Sequence, residues 1–188
     1  MFKIAVLAST NGTDLQAIID EMKADKMPGI ELSVVISNKE DCYALQRAKD
    51  QGYETVYIDP EKEDFDQEAF KHLEDIDLIV LVGFMRILSS EFVNKFPKKI
   101  INVHPSLIPK YSGKGFYGDK IYQAVLDAGD AETGMTIHYV EEGVDTGEII
   151  LQKTCKVEEG ETIETLKEKV QALEKEYYPE VIRNLAKA

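Results

Sequence analysis

Lys3-Ile4-Ala5-Val6-Leu7-Ala8-Ser9-Thr10-Asn11-Gly12-Thr13-Asp14-Leu15 decides how this chain folds. An apolar run ends in small and polar residues, and Leu15, Ile18, Ile19 and Met22 then recur at helical spacing. A strand passing through a short polar loop into a helix is the repeating unit of a parallel sheet. The run is too short to cross a bilayer, and a helix follows it instead of a cleavage site. It therefore reads as a buried strand and not as a secretion signal.

The same grammar continues downstream. Met27-Pro28-Gly29 ends the first helix, Glu31–Ser37 is a second strand, a helix from about Asp41 stops at Gly52, and Glu54–Ile58 is a third strand. Phe65–Leu73 reads as helix, Asp77–Val82 as a strand with both faces covered, Ser90–Lys95 as a short helix and Ile100–Val103 as the next strand. This alternation implies an α/β fold, a Rossmann-like doubly wound and mostly parallel sheet with right-handed crossovers. After Pro109 the pattern changes. Tyr111-Ser112-Gly113-Lys114-Gly115-Phe116-Tyr117-Gly118 reads as a mobile lid, followed by a helix over Lys120–Ala128. Strands over Thr133–Val140 and Glu148–Val157 should give the sheet an antiparallel C-terminal edge. An amphipathic helix with Ile163, Leu166, Val170, Leu173, Tyr177 and Val181 as its inner stripe, kinked before Pro179, closes the chain. With no repeat, low-complexity tract or linker, residues 1–188 read as a single domain.

Composition narrows the functional classes. The chain is 44% hydrophobic and 30% charged, ordinary for a globular protein, and carries a net charge of −13. No Lys/Arg cluster would track a nucleic-acid backbone, and no segment would span a membrane. An anionic small substrate stays possible, because backbone amides bind phosphate whatever the net charge. Cys42 and Cys155 lack the spacing of a disulfide framework, which favours free thiols in a cytoplasmic protein. Two cysteines and three histidines offer no zinc-type cluster, so no metal is expected.

Four segments could carry chemistry. Ala8–Asp14 presents unpaired amides at a helix N-terminus, which suits phosphate, but lacks both GxGxxG and a P-loop lysine. The alternative there is a plain turn with Asp14 complementing the helix dipole. In Ile101-Asn102-Val103-His104-Pro105-Ser106-Leu107-Ile108-Pro109, Asn102 and His104 share one face of a strand that Pro105 ends. An amide that can donate to an oxyanion beside an imidazole that can move protons reads as a catalytic pair. A structural histidine is the competing reading. Asp145, in Gly143-Val144-Asp145-Thr146-Gly147, could orient His104 and raise its pKa, or be an ordinary turn residue. Val82-Gly83-Phe84-Met85-Arg86-Ile87-Leu88 could line a slot for a flat aromatic ring or simply pack. His138 is assigned a core or supporting role, and His72 a solvated one.

Together these segments, in this order, resemble the phosphoribosylglycinamide formyltransferases, folate-dependent enzymes of purine synthesis. The resemblance rests on Val6–Ile19 ("VLASTNGTDLQAII"), Gly83–Ser89, Asn102–Tyr111, Thr133–Gln152 and Glu174–Ile182, and spans essentially the whole chain. It implies a formyltransferase fold whose N-terminal half binds the substrate phosphate and whose C-terminal half carries the catalytic residues and lid. It implies that Asn102, His104 and Asp145 are catalytic. Gly12, Thr13 and Asp14 would hold the phosphate of glycinamide ribonucleotide, and Glu174 its ribose. Met85, Arg86, Ile87 and Leu88, with Asn102, would hold 10-formyltetrahydrofolate, the formyl donor. It further implies direct transfer to the substrate amine without a metal, small-molecule partners only, and a monomer or weak homodimer.

Two positions depart from the family's usual pattern. Asp14 stands where Asn is usual, and its carboxylate would have to turn away from a phosphate dianion. Gln67 and Glu68 occupy a stretch, Phe65–Phe70, that often supplies an Arg to the folate tail. Other readings share the Asn–His–Asp set. A 10-formyltetrahydrofolate hydrolase has an N-terminal regulatory domain and a methionyl-tRNA formyltransferase a C-terminal one, and neither extension is expected here. A sugar-nucleotide N-formyltransferase and a binding module without turnover complete the alternatives.

Overall fold

β1 (Phe2–Ala8) is the pivot of the sheet: it pairs in parallel with β2 (Ile30–Ser37) on one side and with β4 (Leu78–Val82) on the other. A strand flanked by two others must bury both faces, and β1 alternates accordingly. Ile4, Val6 and Ala8 join one core, Ala5 and Leu7 the other, and all five are inaccessible to solvent. The computed structural model describes all residues, 1–188. Its single sheet runs β3-β2-β1-β4-β5-β6-β7, with β3 at Thr55–Tyr57, β5 at Ile100–His104, β6 at Glu132–Tyr139 and β7 at Ile149–Lys156. The strands up to β5 are parallel; β6 and β7 are antiparallel, as their place after the glycine-rich segment implied.

Helices cover both faces. α1 (Thr13–Lys23), α2 (Tyr43–Asp50), α5 (Asp119–Ala128) and α6 (Ile163–Lys187) pack on one face, through Leu15, Ala44, Val125 and Val170. α3 (Phe65–Phe70) and α4 (Ser90–Lys95) cover the other, where Phe70, Phe92 and Phe96 meet with ring centroids 5.2–6.0 Å apart. Burying each such large apolar side chain stabilises the fold by roughly 1.5–3 kcal/mol.

The boundaries differ from expectation at instructive places. α3 stops at Phe70 and not Leu73, because the chain tightens into three-residue turns (His72 N–H to Ala69 O, Leu73 N–H to Phe70 O) that swing Leu73 into the core. α6 runs as one helix through Pro179 to Lys187, opened by a capping box between Thr162 and Thr165. Its inward stripe is Leu166, Val170, Glu174, Tyr178, Val181 and Ile182, so Tyr178 takes the fully buried place expected of Tyr177. The Tyr178 hydroxyl donates toward two sheet carbonyls, Leu81 at 2.9 Å and Ile101 at 3.1 Å, which fixes α6 over β4 and β5.

This topology positions the site. After β1 the chain turns to β2 on one side, whereas β4 and β5 lie on the other. The loops leaving β1 and β4 therefore diverge and open a crevice at the C-terminal edge of the sheet.

Candidate active site

The loop after β1 is clamped on three sides. Gly12 caps α1 with φ 68°, and a Cβ there would stand 2.6 Å from the Ala44 Cβ, so α2 packs directly on the loop. The Thr10 carbonyl accepts from the Ala44 N–H and the Cys42 thiol, each at 3.2 Å. Arg47 donates to the Asn11 carbonyl at 2.6 Å. On the far side Gly83 abuts Thr10, where a Cβ would run into Oγ1. The buried Ser9 hydroxyl donates to Asn38 Oδ1 at 2.6 Å and accepts from the Met85 N–H at 2.9 Å, which ties the loop after β1 to the loop after β4. The amides ahead of Gln16, the first residue bonded within α1, have no partner inside the helix, and Gly12, Thr13 and Asp14 line the crevice.

At the end of β5, Asn102 and His104 lie on one face of the strand, and Asp145 reaches them from the β6–β7 connection. Asp145 Oδ2 is 3.6 Å from His104 Nδ1 and accepts from the Gly113 N–H at 3.0 Å. Asp145 has a φ of 57°, a left-handed conformation few residues but Asn, Asp and Gly adopt, and its carboxylate is only 11% exposed. Hydrogen-bond chemistry assigns the ring protons. His104 Nε2 faces the Tyr111 carbonyl at 2.8 Å, and a carbonyl only accepts, so Nε2 carries the proton and Nδ1 is the atom facing Asp145.

His138 belongs to the same cluster. Strand pairing sets it opposite Asn102, its Nδ1 donates to the Tyr139 carbonyl at 2.8 Å, and its Nε2 lies 3.3 Å from Asn102 Nδ2 and 3.7 Å from Asp145 Oδ1. Burial pushes the His138 pKa below its ordinary value. The neutral ring thus accepts from the Asn102 amide and orients it, so that the second amide hydrogen of Asn102 can serve a ligand.

Asp14 and Glu174 form a second charged centre. Both are buried, at 6% and 7% exposure. Burial pushes Asp14 up to about 7, opposed by Lys175, and pushes Glu174 well above the usual carboxylate range, reinforced by Asp14. One cavity of about 780 Å³ runs from Gly12–Asp14 past Asn102, His104 and Asp145 to Met85–Leu88, with Glu174 on its wall. That volume is in the usual range for small-molecule sites.

Residues 2–182 match the family described as "Formyl transferase". The chain belongs to the formyl transferase family. It is 40% identical to the phosphoribosylglycinamide formyltransferase of Haemophilus influenzae, over 97% of this chain and 86% of that protein. It is 39% identical to the trifunctional purine biosynthetic protein adenosine-3 of Drosophila pseudoobscura pseudoobscura, over 98% of this chain but 14% of that much longer protein. Among solved structures, glycinamide ribonucleotide transformylase 1 from Symbiobacterium toebii superposes with a TM-score of 0.89 at 38% identity, covering 97% of this chain and 86% of that one. The doubly wound fold expected of a formyl transferase is thereby established.

Within that fold, the residues singled out in the sequence all line the same cavity. Their immediate surroundings are less uniform. Met85 and Ile87 are 47% and 70% exposed at the cavity edge, whereas Arg86 is parked over the Phe65 ring, 5.3 Å from its centroid. Gln67 donates to Glu91 at 3.2 Å. Four contributors escaped the sequence reading: Ser9, Arg47, the Tyr111 carbonyl and the Gly113 amide. Ser9 and Arg47 act through tertiary contacts that no local pattern announces, and the other two are backbone groups. His138 had a readable signal, since antiparallel pairing of the strands flanking the lid brings it beside Asn102.

Proposed function

We propose that this chain transfers the formyl group of 10-formyltetrahydrofolate to the primary amine of glycinamide ribonucleotide in purine biosynthesis, as a single catalytic domain acting in the cytoplasm. The observation that carries the reading is the convergence of Asn102, His104 and Asp145 between a phosphate-type loop and an apolar slot, in a chain 40% identical to a phosphoribosylglycinamide formyltransferase. The donor contributes the activated formyl carbon. Exposed Met85 and Ile87, with Leu88, Val93 and Val140, offer apolar surface of the kind a flat pterin ring needs. The amides of Gly12, Thr13 and Asp14 would hold the acceptor's phosphate at the α1 N-terminus, and Glu174 would accept from its ribose hydroxyls.

Each catalytic group has a task its geometry allows. Asn102, oriented by neutral His138, donates to the formyl oxygen as negative charge gathers there. His104 holds a second proton on Nδ1, beside Asp145, and presents it to the same charge. Asp145 stabilises the resulting imidazolium and, by accepting from Gly113, ties that ion pair to the base of the Tyr111–Gly118 segment. With Tyr111 fixing Nε2, proton traffic is confined to Nδ1. The glycine-rich segment excludes water that would otherwise hydrolyse the donor.

Release of tetrahydrofolate, followed with and without glycinamide ribonucleotide, tests the reading. We expect amine-dependent release that His104→Ala, Asn102→Ala and Asp145→Ala each reduce by at least ~10²-fold in kcat, the usual loss for one oxyanion-stabilising group, without shifting thermal unfolding substantially. Near-normal turnover in all three variants would remove the mechanism. Release without the amine would instead mark a hydrolase.

A further inference from the structure

The end of the cavity built on α1 contains an electrostatic conflict. The first-turn amides and the helix dipole draw an anion to the start of α1. Asp14 stands in that same turn with its side chain buried, its Oδ1 without a hydrogen-bond partner, on the wall of the cavity. A buried carboxylate oxygen with no donor carries a desolvation cost that protonation of the carboxyl relieves. The protein's own groups do not supply the relief. From α6, Glu174 faces it as a second buried carboxylate, Lys175 is the cation that acts on both, and Tyr178 has committed its hydroxyl to Leu81 and Ile101. From α5, Tyr122 is buried beside the pair with its proton firmly held. From α2, Arg47 is turned to Asn11 and Gln16, and Lys167, on the cavity wall, is paired with Asp119 at 2.9 Å.

We propose that Asp14 binds the acceptor's phosphate as a carboxylic acid, donating a hydrogen bond from its carboxyl group to a phosphate oxygen, so that binding a phosphate monoester at α1 takes up one proton from solvent. The proposal rests on the reading that the acceptor is a ribonucleotide. A proton placed between carboxyl and phosphate turns a repulsion of two anions into a strong hydrogen bond, while the backbone amides hold the remaining oxygens. Either oxygen can own that proton; the number taken up is the same. Burial already holds the Asp14 carboxyl near neutrality, so the acid form is available at little cost. Asp14 thereby becomes a specificity-determining residue that favours a protonated, phosphate-bearing acceptor and makes the acceptor's KM, not the donor's, depend on pH.

The test uses glycinamide ribonucleotide in turnover and ribose 5-phosphate in binding. A phosphate monoester loses its second proton near pH ~6, so between about pH 7 and 9 the phosphate is a constant dianion, and the ribonucleotide's amine, which does titrate there, affects wild type and Asp14→Asn alike. With saturating donor, the ratio of the wild-type KM for the ribonucleotide to that of Asp14→Asn should rise by up to about tenfold per pH unit across that range, the limit for one linked proton. Asp14→Asn, whose amide donates at every pH, should keep only the amine's share of the pH dependence, with a KM that lies below wild type at the alkaline end. Any pH dependence of the chemical step is common to both proteins and appears in kcat. Calorimetry of ribose 5-phosphate with the wild-type chain at about pH 9, where Asp14 is ionised before binding, in two buffers of different ionisation enthalpy, should register uptake of close to one proton, and needs no variant. Proton uptake without turnover on the ribonucleotide would support the phosphate site while overturning the assigned acceptor. Turnover with an equal slope in wild type and Asp14→Asn, or binding without proton uptake, would overturn the role of Asp14 alone.

Discussion

Gly12→Ala tests whether the loop after β1 is rigid because it is clamped. Two separable penalties follow from the structure. At φ 68° an alanine is held in the left-handed region, which costs about 1–2 kcal/mol. Its Cβ would also stand 2.6 Å from the Ala44 Cβ and 2.9 Å from its Cα, where carbon atoms prefer about 3.5–4.0 Å. Relief requires α2 to retreat by about 1 Å, yet the Ala44 N–H and the Cys42 thiol are both bonded to the Thr10 carbonyl of the same loop. Overpacking of this kind costs about 1–3 kcal/mol, so the whole substitution should destabilise by ~2–5 kcal/mol. Urea unfolding should show the midpoint falling by ~1–2 M for an ordinary slope. Because the amides of the loop move with it, the acceptor's KM should rise by ~10-fold or more while the donor's stays within about twofold. Adding Ala44→Gly removes the nearer clash but neither the 2.9 Å approach to the Cα nor the backbone strain, so the double variant should recover part of the steric share of the loss, beyond additivity. A Gly12→Ala protein within ~0.5 kcal/mol of wild type, with an unchanged acceptor KM, would refute the clamp. Strict additivity with Ala44→Gly would show that Ala44 is not what the new methyl meets.

Two other perturbations bear on the same machinery. Ser9→Ala strips the Met85 N–H and Asn38 of their shared hydroxyl, and should cost ~1–3 kcal/mol in unfolding measurements while raising the donor's KM more than the acceptor's; equal effects on both would dissolve the link between the two loops. Asp14→Asn should remove a pH dependence of stability. The folded carboxyl, held at about 7, binds its proton more tightly than the unfolded one, so its contribution is full below about pH 4 and is lost as pH rises through the folded value. The variant should therefore gain on wild type by about 2–4 kcal/mol between pH ~4 and ~8 in chemical denaturation, and a constant difference would show that Asp14 is not buried as an acid.

Sequence legibility followed the range of the interaction. The doubly wound order was readable because each element announces itself locally: β1 alternates Ile4, Val6 and Ala8 against Ala5 and Leu7, and Leu15, Ile18 and Ile19 mark the face of α1 that meets it. Asn102 and His104 were readable as a pair for the same reason, since two residues apart on a strand is a geometric statement. Asp145 was legible only as a candidate. Nothing within its own loop says that a left-handed backbone and a hydrogen bond from Gly113 aim it at His104. The α3 end and the burial of Tyr178 in place of Tyr177 were missed because tertiary packing overrode local periodicity.

The site's supporting side chains share one property: each acts on a backbone group or on another side chain, and none touches the chemistry itself. Ser9 is indispensable to the arrangement only because β1 and β4 are neighbours, a fact of topology that places Met85 within 2.9 Å of a serine far away in the chain. Arg47 matters because α2 crosses the loop after β1, and His138 because β6 runs antiparallel to β5. A reading that begins from the strand order can recover all three, since every one of them lies at the edge where the parallel strands end. Asp14 differs in kind. Its position was legible but its state was not, because a carboxylate at a helix N-terminus is ordinarily a stabilising anion. Only the burial imposed by α5 and α6 turns it into an acid, and with it turns a residue that ought to repel phosphate into one that can donate to it.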